Sequence, residues 1–181
     1  MNDKNIQSTT DCIRHTLHFQ FEISWKMLEI HLDGLEDEEY LWRPASKGLH
    51  VFNESGVWRA DWPESEAYDI GPASIAWLTW HIMFWWTMVL DYSFGKGTLT
   101  REDVSCPGNI IETRERITHL RHEWKTAVAK LLDDELLSND RTRWPFTDKP
   151  FHALAGWLNL ELIKNAAEIG YCRFLYAAQK K

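Results

Sequence analysis

The chain has 181 residues, 44% hydrophobic and 26% charged, with a formal net charge of -7, and this profile predicts a single folded domain spanning residues 1–181. No Lys/Arg-rich stripe accompanies the acidity, which argues against a nucleic-acid partner, because such partners are held largely through phosphate neutralisation. Cys12, Cys106 and Cys172 lie far apart with no CxxC spacing, a pattern unsuited to a disulfide scaffold or a cysteine zinc site and suited to a reducing cytoplasm.

The opening MNDKNIQSTTD is polar and lacks the apolar stretch of a secretory signal. Ser8, Thr9, Thr10 and Asp11 are N-cap candidates for a first helix over 10–33, with Ile13, Leu17, Phe21, Leu28 and Leu32 at helical spacing and Gly34 as its stop. Leu35–Tyr40 adds a short helical turn before Trp42-Arg43-Pro44. Residues 44–72 show no sustained period, and a connection of that length between helices one and two suits a lid or pocket wall. Gly71-Pro72 opens a second helix to Phe94, apolar on nearly every side and therefore central, stopped at Gly95-Lys96-Gly97. Its apolar run, Ile75–Leu90, is shorter than the roughly 20 residues a bilayer requires, so no membrane span is expected. A third, amphipathic helix covers 109–132, and a fourth covers 151–178 after an acidic connection. With no strand alternation, the fold class is all-α, a four-helix bundle with sites built from facing helices.

Eleven tryptophans are present, and four of them, Trp77, Trp80, Trp85 and Trp86, crowd around His81. An imidazole inside so apolar a helix needs a hydrogen bond, a metal or a ligand, since unpaired burial costs about 1–3 kcal/mol. At 100° per residue, Leu154, Trp157, Leu158, Glu161, Lys164, Asn165, Glu168, Cys172 and Leu175 form one stripe of the last helix. Four polar groups thus interrupt an apolar band that faces the bundle interior, with His81 opposite. Two readings stand. One is an internal ion-pair network, because Lys164 lies three residues after Glu161 and four before Glu168. The other is a core pocket in which His81 and Glu168 ligate a metal, Asn165 offers an amide oxygen, and Glu161, Lys164 and Trp85 join the lining. Trp42, Trp58 and Trp62 in the long connection either wall a pocket mouth or staple the loop onto the bundle.

Three stretches carry a family resemblance: LEDEEYLWRPAS (35–46), SIAWLTWHI (74–82) and KNAAEIGYCRFLY (164–176). Their order and spacing resemble the DinB-like superfamily, the DinB/YfiT-like bundles that include thiol-dependent S-transferases. The resemblance implies a metal-ligand role for His81 at the end of the second stretch, and two further ligand positions, Lys164 and Glu168, ahead of Gly170. It implies a divalent metal, Zn or Ni, a homodimer, and thiol S-transfer or metal-assisted hydrolysis of a small molecule. The chain departs from the family where histidine or glutamate is usual, since the ammonium of Lys164 cannot coordinate while protonated. Either Lys164 stands in for the ion, balancing Glu168 while His81 bonds the same carboxylate, or Asn165 and Glu161 complete a weak divalent site. The first alternative makes the protein a non-catalytic binding or interaction module built on a Lys/Glu/His network.

Overall fold

The computed structural model describes residues 3–65 and 67–180, with side chains from Thr9 onward. Helix α1 (Asp3–Leu32) begins one to two turns before the expected 10–33, because no glycine or proline interrupts the chain there; Ser8–Asp11 therefore lie within it and are not its cap. Phe21, Trp25, Leu28 and Leu32 are its buried face. Gly34 follows with φ of +64°, the left-handed conformation that ends helices and suits glycine. The short α2 (Asp37–Tyr40) turns the acidic segment back to the bundle, where the Asp37 carboxylate accepts the backbone N–H of Ile110 at 2.8 Å.

The connection that follows is more ordered than its sequence suggests. Strands β1 (Val51–Glu54) and β2 (Val57–Ala60) form an antiparallel hairpin with Val51 opposite Ala60 and Glu54 opposite Val57, correcting the expectation of no strands. Its two-residue turn is Ser55-Gly56, both at positive φ (54° and 89°), the conformation that matches strand twist. Asn53 Oδ1 accepts the Gly56 N–H at 2.9 Å. Beyond a 3-10 turn at Tyr68–Ile70, the chain runs extended and Leu49 pairs with Ala73 in a parallel bridge.

Helix α3 (Ile75–Phe94) therefore starts later than Gly71-Pro72. Pro72 is engaged through its carbonyl by Leu49 N–H, and Ser74 is the cap, its hydroxyl accepting from Trp77 N–H. Most residues of α3 are buried on every side, as a central helix requires. The Gly95 stop is secured by Asp91, whose carboxylate collects the N–H groups of Lys96, Thr98 and Leu99. These donors, Leu99 foremost, hold its pKa below the ordinary aspartate value.

Helix α4 (Ile110–Ala129) is capped by Asn109, whose side chain accepts from Glu112 N–H, and buries Ile110, Ile117 and Trp124 at seven-residue spacing. A short α5 (Asp133–Leu137) interrupts the acidic connection, and α6 (Phe151–Gln179) closes the bundle. Asn159 reaches the carbonyl of Leu17 and Arg173 that of His31, so α1 and α6 run parallel. Arg14 meets Leu131 and Asp133 while Lys125 meets Glu22, so α4 is antiparallel to α1. Trp85 packs on Trp157 and Cys172 bonds Ala73, so α3 is antiparallel to α6. The four long helices therefore go up, down, down, up, the all-α bundle predicted.

Candidate functional site

A cavity of about 790 Å³ opens where α3, α6 and the 62–73 segment meet. His81, Trp85, Lys164, Asn165 and Glu168 line it, with Trp77, Cys172 and the loop residues Trp62 and Tyr68 completing the wall. The loop tryptophans also staple: Trp62 packs edge-on against Trp80 and Phe84, and Trp42 against Tyr176.

His81 is buried (8% exposed) and held on three sides. The Trp77 ring stacks on it at 4.6 Å. The Trp85 indole N–H, a group that can only donate, lies 2.8 Å from Nε2, so Nε2 offers its lone pair there. Nδ1 then carries the proton and donates to Asn165 Oδ1 at 3.1 Å. The amide is oriented independently, because Asn165 Nδ2 donates to the Glu161 carbonyl at 2.7 Å. Sequence periodicity explains the arrangement: residues 81 and 85 are one helical turn apart, as are 161 and 165.

The remaining stripe residues divide. Asn165 is fully buried, whereas Glu161 is half-buried and pairs with Lys164 at 2.7 Å. The expected bond from His81 to Glu168 is not made, and Lys164 turns to Glu161 instead of Glu168. Among the described residues the Glu168 carboxylate has no hydrogen-bond or ion-pair partner. It opens onto the cavity and stays reachable by water, yet the apolar wall around it desolvates the charge. Its pKa is raised, chiefly by that desolvation, with Lys164 opposing and Glu161 adding to the shift.

Cys172, on the same stripe of α6, also faces the cavity. Its Sγ–H donates to the Ala73 carbonyl at 3.2 Å, and burial, then the Glu168 charge, push the thiol up to about 11. It is a thiol and not a ready nucleophile at neutral pH. All three cysteines are free.

As a donor set for a metal, this constellation is short. Both His81 nitrogens are engaged, Lys164 is committed to Glu161, and among the described residues no group of three or more His, Cys, Asp or Glu side chains is placed to hold an ion. No helix among the described residues is long and apolar enough to cross a membrane.

The family model of the DinB superfamily matches residues 20–169, and the chain belongs to that superfamily. No curated protein and no solved structure gives a match.

Proposed function

We propose that this DinB-superfamily bundle is a metal-independent small-molecule-binding module, in which a fixed polar network occupies the place of the family's ion. The observation that carries this reading is the Trp85 N–H seated on His81 Nε2, the lone pair a metal would need. Lys164, standing where the resemblance places a ligand and paired with Glu161, supports it from the other side. A cavity of about 790 Å³ with mostly apolar walls and a few polar groups suits an organic ligand. Metal analysis of protein purified without a histidine tag tests the proposal: the metal-free product is expected, and stoichiometric Zn or Ni lost on His81→Ala would overturn it.

The competing reading is a metal-dependent thiol S-transferase or hydrolase, supported by His81 and Glu168 facing one cavity. It requires Trp85 to surrender its bond, and the same metal assay separates the two.

We also propose a homodimer in the cytoplasm, where free thiols stay reduced. Phe19, Ile23 and Ile30 on α1, and Leu160, Tyr171 and Phe174 on α6, are exposed at helical spacing on faces turned away from the core. Apolar surface so arranged favours a partner. Light scattering after size exclusion should give twice 21.4 kDa, and a monomer mass at tens of micromolar would remove the dimer.

A further inference from the structure

Among the described residues the charge lining the cavity is unbalanced. Its described acidic, basic and imidazole side chains are Glu64, Lys164, Glu168 and His81. His81 is neutral, because Nε2 accepts from Trp85 while Nδ1 donates to Asn165. Lys164 is neutralised by Glu161 at 2.7 Å. Glu168 makes no hydrogen bond or ion pair with a described residue, although the Lys164 charge acts on it, and Glu64 brings a second carboxylate to the lining. The walls beside these carboxylates are aromatic, from Trp62, Tyr68, Trp77 and Trp85.

Each of these features favours the same ligand chemistry. A carboxylate facing a partly desolvated cavity gains most from a compact cation with several N–H donors, which restores the hydrogen bonds it lost. Indole and phenol faces attract cations through their quadrupole and cover apolar carbon equally well. An anionic ligand would have to draw Lys164 away from Glu161 and approach two carboxylates.

We propose that the cavity binds an organic primary amine in its protonated form, with the ammonium on Glu168 and the apolar body along the Trp77–Trp85 wall. This rests on the reading of the cavity as a ligand site given above. No bond is made or broken; the step is recognition alone.

Three probes of one shape and different charge test it by calorimetry at pH 7: 2-phenylethylammonium, 2-phenylethanol and 3-phenylpropanoate. The amine is expected to bind at least tenfold more tightly than the alcohol, with the carboxylate weakest. Glu168→Gln should erase the preference for the amine while leaving binding of the alcohol within about twofold, and an unchanged near-UV circular dichroism spectrum would show the variant is folded. Equal affinity for amine and alcohol, preference for the carboxylate, or an amine preference that survives Glu168→Gln would overturn the amine assignment and leave the cavity as a site. Failure of all three probes to bind would overturn both the amine assignment and the ligand-site reading it rests on.

Discussion

The Trp85 indole donates to His81 Nε2 across 2.8 Å, and the two residues are one turn apart on a helix most of whose residues are buried. Proximity in sequence makes this bond easy to form, and partial burial adds to the cost of breaking it. Zinc affinity should expose the competition. Lys164→His supplies a third donor beside His81 and Glu168, yet the indole still holds Nε2. Adding Trp85→Phe releases it. The double variant is therefore expected to bind Zn²⁺ stoichiometrically and about tenfold more tightly than Lys164→His alone, the factor corresponding to one net hydrogen bond of about 1.4 kcal/mol. Titration calorimetry measures both; equal affinities would mean that Trp85 does not guard the imidazole.

Asn165 serves two groups at once, accepting from His81 and donating to the Glu161 carbonyl, and it is 1% exposed. Truncation removes the acceptor that the imidazole Nδ1–H uses inside the bundle. Asn165→Ala should lower unfolding free energy by about 1–3 kcal/mol, read from urea denaturation. A loss much below 1 kcal/mol would indicate that water enters freely and takes over the amide's role.

Glu168 makes the opposite prediction. Its pKa lies above the ordinary value of 4.5 because burial penalises the charge. A carboxyl raised in this way contributes stability in its protonated form, fully present below its unfolded pKa and lost as pH rises through the folded one. Glu168→Gln retains the neutral shape. It should melt higher than the native chain at pH 7, by about 2–4 °C for each kcal/mol relieved, with the difference closing below pH 4.5. A variant that melts lower at pH 7 would indicate that the carboxylate has a partner in solution.

The long helices were legible because each repeats apolar residues at helical spacing between clear stops, as at Gly34 and Gly95. Asn165 and Glu168 were legible as a polar interruption of the α6 stripe. Their partners were not, because periodicity gives the face of a helix but not which of several neighbouring polar groups an imidazole selects. Trp85 was a candidate lining residue, and its indole N–H offered the signal: a half-buried donor one turn from His81 calls for an acceptor. The hairpin was missed because Val51–Glu54 and Val57–Ala60 are too short for alternation to stand out, although Ser55-Gly56 is a two-residue turn sequence. The start of α3 was misplaced for a related reason. Gly71-Pro72 resembles a helix opening, but Leu49 captures the Pro72 carbonyl and draws the chain into a bridge, leaving Ser74 to cap.

That bridge makes the cavity's outer wall depend on a glycine far from it in sequence. A Cβ on Gly48 would overlap the Pro72 carbonyl oxygen and crowd the His50 ring, and a backbone atom has no rotamer by which to escape. Gly48→Ala should destabilise by about 1–3 kcal/mol through overpacking and push the 71–73 segment off Leu49, weakening any ligand held against that wall. Gly156 in α6 is the matched control, since its added Cβ meets only Leu17 Cδ2 at an ordinary 3.6 Å. There the higher helix propensity of alanine dominates, and Gly156→Ala should stabilise by up to about 1 kcal/mol. Opposite signs in parallel denaturation curves are the expected result; two stabilising substitutions would mean that the 71–73 segment gives way without loss and does not set the shape of the cavity.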